Sequence, residues 1–292
     1  MWFILASASA LLSAAAAVVQ KRILGALDAL AFSFLVSLAV LACSAAVPFA
    51  ADVTALAPAT LGVLLVKSLL GGAAFLFVML SLEHNPISSA LPLLGLSPAV
   101  TALLGLVLLG ESLRPAEWAG VSLMVVGAAV LESKPSEAPW HVLRGTGFTR
   151  SHAFIAAALA LFAVSSVADR YLLTGNRASP LVVLFYQHIV YAVLFGAMLV
   201  VRKRGLVATL RSAGTGLPWI VLAALLTLGY RLTQLEATKA APVALVLAVK
   251  RTSIVYATVL GGRLFHEDHR WRRIAGAVII AVAGFLVLRN AG

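Results

Sequence analysis

The chain has 292 residues, 62% of them hydrophobic and only 11% charged, with a mean hydropathy of +1.03 and a formal net charge of +11. About a quarter of a soluble globular chain is charged, so this composition excludes a soluble domain and points to a multi-pass membrane protein. The basic residues lie mostly in short segments between apolar runs, where they act as orientation signals and give nucleic-acid binding no support.

The first apolar run lacks a basic leader and is followed, not preceded, by Lys21 and Arg22. It is read as a retained first helix rather than a cleaved signal. Ten apolar spans follow from hydropathy and turn residues: 2–20, 30–50, 60–82, 86–109, 115–132, 152–174, 180–201, 217–238, 242–262 and 271–289. Short connections predict antiparallel neighbours in a compact all-α bundle. The longest polar connection, Glu132 to Arg150, separates five spans from five. This predicts a first repeat over 1–132, a polar connection over 133–151 and a second repeat over 152–292. Trp118, Trp219 and Trp271 fall near span ends, as interfacial anchors do. The lone cysteine, Cys43, excludes an internal disulfide.

The two halves echo each other. Pro86 and Pro242, Ser97 and Ser253, Gly105 and Gly261, Glu111 and Glu267, Arg114 and Arg270, and Gly120 and Gly276 are each separated by 156 positions. Matches of Pro, Glu, Gly, Ser and Arg at one offset are not a by-product of apolar composition. An odd number of spans per half makes the halves run through the bilayer in opposite senses. Inverted five-helix repeats are a transporter architecture, with the substrate site near the midplane between them.

Pro86 opening a helix, the run GESLRPAEWAGVSLMVVGAAVL from Gly110 to Leu131 and its echo from Glu267 to Leu288 resemble the EamA-type, ten-helix branch of the drug/metabolite transporter superfamily. The resemblance covers both halves; the second departs from it in having His266 where the first has Gly110. It implies a secondary carrier rather than an enzyme, without cofactor, for an amino acid or other metabolite. The pair Lys250-Arg251 is also similar to the basic pair that phosphorylated-sugar translocators of this superfamily place in the equivalent late helix.

Lys250 and Arg251 lie about 12 Å inside the ninth span at 1.5 Å per residue, too deep for both to reach the interface. A charge there costs a few kcal/mol unless it faces a cavity or a partner. Thr227, Arg231, Gln234 and Thr238 share one face of the eighth span, with Tyr230 beside them; Gln187 and Tyr191 form an i, i+4 pair next to His188. Ser165, Ser166 and Asp169 cluster on the sixth span. The expected substrate site is therefore Lys250, Arg251, Arg231, Gln234, Tyr230, Gln187, Tyr191 and His188. Three readings of its charges stand open: the cations hold a phosphate or carboxylate, they pair structurally with Asp169 and Glu236, or those acids couple a proton. Lys67 is placed outside the site, as a residue that snorkels from the start of its span. Pro86, Pro92, Pro98 and Pro242 are expected as kinks or hinges, and Gly105 and Gly261 as close packing positions.

His266, Glu267, Asp268 and His269 have metal-ligand side chains in sequence, but no further Cys/His cluster completes a site, so a solvated loop is expected and no metal. No G-x-x-x-x-G-K-[ST] run occurs, which argues against ATP-driven transport by this chain alone. Thirteen basic residues follow odd-numbered spans, against Arg114, Arg177, Lys239 and Arg289 on the other side. The bias puts both termini outside the cytosol, whereas the family habit puts them inside. The sequence thus reads as a secondary transporter in a bacterial inner membrane, moving a small organic anion by alternating access. The anion bears a phosphate or carboxylate, with a lipid-linked phosphate included, and a proton or counter-substrate is the candidate coupling partner. The alternatives are an exporter of amino acids or amphiphilic drugs, in which Lys250 and Arg251 are locked in structural pairs, and, remotely, a metal-dependent membrane enzyme.

Overall fold

The computed structural model describes residues 1–50, 56–85, 92–132, 150–254, 256–257 and isolated positions between 276 and 283. The described residues are helical and contain no strand. In chain order the helices are α1 (Trp2–Ile23), α2 (Ala29–Cys43), the short α3 (Val47–Ala50), α4 (Pro58–His84), α5 (Ser97–Leu109), α6 (Pro115–Glu132), α7 (Arg150–Leu173), α8 (Pro180–Val201), α9 (Leu206–Ser212), α10 (Leu217–Ala240) and α11 (Val243–Lys250).

Proline sets many of these starts. Pro58, Pro98, Pro180 and Pro218 each occupy the first turn of a helix, where the missing N–H costs nothing. Asp28 caps α2 by accepting from the backbone N–H of Leu30 and Ala31 at 3.2 Å each, and the Ser179 hydroxyl accepts from Val182 N at the start of α8. Gly110 ends α5 in the left-handed conformation, φ +68°, with Gly110 N donating to Leu106 O and Glu111 N to Gly105 O. That is the turn for which a residue without Cβ is preferred.

Several spans differ from expectation. The second stops at Cys43 instead of running to residue 50. Pro48 lacks an N–H and its ring opposes the carbonyl four residues back, so the chain turns and restarts as α3. The fourth is not one kinked helix. Pro92–Leu96 is a 3-10 turn and the α-helix begins afresh at Ser97, so Pro98 sits in a first turn and frees no carbonyl. The ninth is interrupted at its centre: α11 ends at Lys250, Arg251 lies in a turn, and helical backbone resumes at Thr252. The short helix α9 lies in the connection between the seventh and eighth expected spans. Pro242 does open α11, as its N-cap. Pro86, Gly261, Trp271 and the segment His266–His269 lie outside the described residues.

Among the described residues five helices are long and apolar enough to cross a bilayer, and two shorter ones are apolar. Their outer faces carry Leu65, Leu103, Val107, Val193 and Leu225, all exposed, while Lys67, Asp169 and Lys250 are buried within. Apolar outside and charged inside is the arrangement a lipid solvent requires.

The packing repeats between halves. Helix α1 packs on α10 as α7 packs on α4; α2 meets α10 as α8 meets α4; α5 meets α7 as α11 meets α1. The pairs α2–α8 and α5–α11 map onto themselves. Every one of these contacts joins one half to the other, so the two repeats interlock and neither buries its own core alone. At the centre the Tyr191 ring lies across Gly71 and Gly72 of α4. A Cβ at Gly71 would stand 2.5 Å from the Tyr191 hydroxyl, so the two helices approach this closely only over glycine.

Candidate functional site: a cationic cavity at the midplane

Two adjoining cavities lie in the interior between the halves. They share Phe75, Phe162, Tyr230, Lys250 and Arg251, and so meet at the interruption of the ninth span. All eight residues expected in the substrate site line the first cavity: Gln187, His188 and Tyr191 from α8, Tyr230, Arg231 and Gln234 from α10, with Lys250 and Arg251. Helical phase had set them on common faces, and the interlocked halves turn those faces toward one another.

The charges fall into two groups. Behind the cavity wall, Lys67 Nζ donates to Asp169 Oδ1 and, at 2.9 Å, to Gln187 Oε1. Arg231 Nη2 donates to Asp169 Oδ2 at 3.1 Å and to the same Gln187 oxygen at 2.7 Å. One carboxylate and one amide oxygen thus hold two cations from two different helices. Ser165 Oγ donates to Lys67 O at 3.0 Å, tying α7 to α4 beside them.

The second group has no acid. Lys250 Nζ donates to Gln234 Oε1 at 2.5 Å and lies 4.5 Å from the Tyr230 ring centroid, a cation–π contact. Arg251 Nε donates to Ser97 Oγ at 2.7 Å, so the turn in the ninth span is fastened to the start of α5 in the opposite repeat. Ser97 is the repeat equivalent of Ser253. Among the described residues no carboxylate reaches either cation, and Nε of Arg231 is buried without a partner. His188 Nδ1 lies 2.9 Å from Leu184 O; a carbonyl can only accept, so that nitrogen carries a proton.

Two expectations are corrected. Glu236 makes no ion pair among the described residues and does not line the cavity, because it stands about 200° around α10 from Gln234. Lys67 does not snorkel. It is 1% exposed and lies about 14 Å along α4 from Pro58, where, among the described residues, only Asp169 and Gln187 satisfy it. The depth argument that singled out Lys250 applies equally to Lys67. Ser97 was also missed as a contact of the site, although its place in the repeat pattern marked it.

On the membrane face where α1 begins, Arg170 of α7 donates from Nε to Glu111 Oε1 at 2.6 Å, and from Nη1 to Thr238 O at 2.6 Å and Lys239 O at 3.1 Å. On the opposite face Lys21 of α1 donates to Leu82 O at 2.6 Å and Asn85 O at 2.9 Å. Each cation satisfies the open carbonyls at the end of a helix in its own repeat, α10 and α4 respectively. Arg22 lies 4.3 Å over the Trp219 ring at that second face. No group of three or more His, Cys, Asp or Glu side chains suited to a metal occurs among the described residues.

The interlocked helical repeats, the lipid-facing apolar exterior and the buried polar cavity define an all-α integral membrane protein of two repeats. The family model of the EamA-like transporter family matches residues 1–132 and 149–289, and the chain belongs to that family, whose members are transporters of the drug/metabolite superfamily. A solved structure described as "Crystal structure of protein" is similar in fold, with a TM-score of 0.68 over 98% of both chains at 19% identity. No curated protein matches the chain significantly.

Proposed function

We propose that this chain is a secondary transporter of a small organic anion, a phosphate or carboxylate, in a bacterial inner membrane. The repeat units 1–132 and 152–292 rock about the central cavity to expose it to either side in turn. The observation that carries the reading is that, among the described residues, Lys250 and Arg251, facing the cavity, are met only by the neutral side chains of Gln234, Tyr230 and Ser97. A buried cation held only by neutral partners is strongly stabilised by an incoming anion. Arginine offers a fork of donors and lysine a point charge, and both suit such a group. The pair Asp169–Lys67, joined by Arg231, supports a structural part for those three, since both cations already share the Asp169 carboxylate and the Gln187 amide oxygen.

Thermal unfolding of the purified protein in detergent tests this, with methyl phosphate, acetate, neutral amino acids and lipophilic cations added in turn. A ligand that binds only the folded state raises its stability. The anions are expected to raise the transition of the wild type and to leave Lys250→Ala and Arg251→Ala unmoved. Stabilisation of the wild type by neutral amino acids or cations, and by no anion, overturns the reading in favour of an exporter of those compounds.

A further inference from the structure

The second cavity leaves the Lys250–Arg251 junction and runs toward the face where α1 ends, between two helix faces in matching steps. Ser13, Ala16, Ala17 and Gln20 line it from α1, and Phe75, Val78, Met79 and Leu82 from α4. Both sets follow i, i+3, i+4, i+7, so each lines about 10 Å of passage. The α4 side is apolar throughout. On α1 the two polar residues stand at the ends with alanines between them, and Ile254 and Ala257 close the third side. Beyond Lys250 and Arg251, no charged residue lines this cavity among the described residues. Its far end lies at Leu82, whose carbonyl is held by Lys21.

We infer that the substrate is an amphiphilic anion: a phosphate or carboxylate carried on a single apolar body, the anionic group on Lys250 and Arg251 and the apolar body between the faces of α1 and α4. This rests on the anion reading of Lys250 and Arg251 above. A compact anion such as inorganic phosphate uses only the head of this space. It leaves water standing against Phe75, Val78, Met79 and Leu82, the arrangement the hydrophobic effect disfavours. An apolar body about 10 Å long displaces that water and needs no further polar partner. The alanines at positions 16 and 17 give it width, because any larger side chain there projects into the same space. A neutral amphiphile fits the apolar faces equally well but leaves both cations unanswered.

Binding is measured by titration calorimetry on the full chain in nanodiscs of neutral lipid, with empty nanodiscs as the blank. The probes are methyl, butyl, hexyl and octyl phosphate, kept below their micelle concentrations, and two-chain phosphatidic acid. Affinity is expected to rise about fourfold per methylene buried and to level off once the passage is filled. Ala16→Phe, which occupies the passage, is expected to flatten that rise while methyl phosphate still binds. Methyl phosphate binding with no dependence on chain length overturns the amphiphile and leaves the anion site standing. No binding by any member overturns both. A wild-type rise that Ala16→Phe leaves unchanged moves the apolar body out of this cavity and overturns its placement. Phosphatidic acid binding as tightly as octyl phosphate overturns the single apolar body. The wild-type series decides the main question even where Ala16→Phe does not fold.

Discussion

Glu111 and Arg170 join the two repeats at one membrane face. Glu111 follows the left-handed turn at Gly110 that ends α5, and its carboxylate accepts from Arg170 of α7 at 2.6 Å while the same guanidinium holds the last carbonyls of α10. Three helix ends from both halves therefore meet on one side chain. Both partners are about one-sixth exposed, so water screens the pair only partly. Glu111→Gln is expected to cost about 1 kcal/mol, the upper end for a pair that retains a hydrogen bond and some solvent. Arg170→Ala is expected to cost more, about 2–3 kcal/mol, because it also strips the carbonyls of Thr238 and Lys239. Thermal unfolding of the two variants and their double mutant measures the ranking; equal losses would remove the capping part of this account.

Asp169 is the most sensitive buried position. Replacing it by Asn leaves Lys67 and Arg231 facing each other without a counter-charge, and losing one partner of a buried ion pair costs about 3–5 kcal/mol. Lys67→Met alone leaves Asp169 with Arg231 and is expected to be milder. Combining Lys67→Met with Asp169→Asn should recover part of the loss of Asp169→Asn, since one of the two stranded cations is gone. A double mutant less stable than Asp169→Asn would contradict this division of charge.

The close approach of α4 to α8 makes a reciprocal prediction. Gly71→Ala places a methyl 2.5 Å from the Tyr191 hydroxyl, and overpacking of this kind costs about 1–3 kcal/mol. The clash is with the phenolic oxygen first, the ring carbon standing at 3.6 Å. Tyr191→Phe in the Gly71→Ala background is therefore expected to restore most of the lost stability. If it restores none, the crowding comes from Ser165 Oγ, 3.2 Å from the same Cβ position, or from the ring itself, and not from the Tyr191 hydroxyl.

Much of this arrangement was legible beforehand, and what escaped did so for local reasons. The repeat offset and the helical faces of Gln187, Arg231 and Gln234 depend only on periodicity, which a bundle preserves. Which pairs of faces meet depends on tertiary packing, and there Glu236 and Lys67 were exchanged: the acid stands aside from the cavity and the lysine belongs to the ion cluster. Span length is likewise visible in hydropathy, but an interruption inside an apolar run is not. The turn at Arg251 lies in the short polar run Lys250–Ser253 within a longer apolar span, and hydropathy averaged over that span does not distinguish a continuous helix from two half-helices meeting at a site. The restart at Ser97 did have a signal, in Pro92 and Pro98 six residues apart, which suits a turn followed by a first-turn proline better than two kinks.

Orientation can be settled with one residue. Cys43, the lone cysteine, ends α2 and is exposed on the face where α1 begins. On the charge bias alone, with basic residues in excess on the opposite face, Cys43 is expected outside the cytosol; the family habit expects it inside. A membrane-impermeant maleimide is expected to label it in intact cells, and Cys43→Ser to abolish the signal. Labelling only after the membrane is opened reverses the assignment.

The cavity's charge reaches beyond the site. Among the described residues, with Lys67, Arg231, Lys250 and Arg251 ionised against Asp169, four cations less one carboxylate leave three positive charges in the interior. Each elementary charge carried across a potential of 100 mV changes the energy by about 2.3 kcal/mol. Wherever rocking of the halves shifts the field across this cavity, the empty carrier feels that energy in full and a carrier holding a dianion feels only about a third of it. On the anion-carrier proposal, the transmembrane voltage is expected to act on the return of the unloaded protein more than on the delivery of its cargo, giving a direction that the near-symmetric repeats, taken alone, do not have.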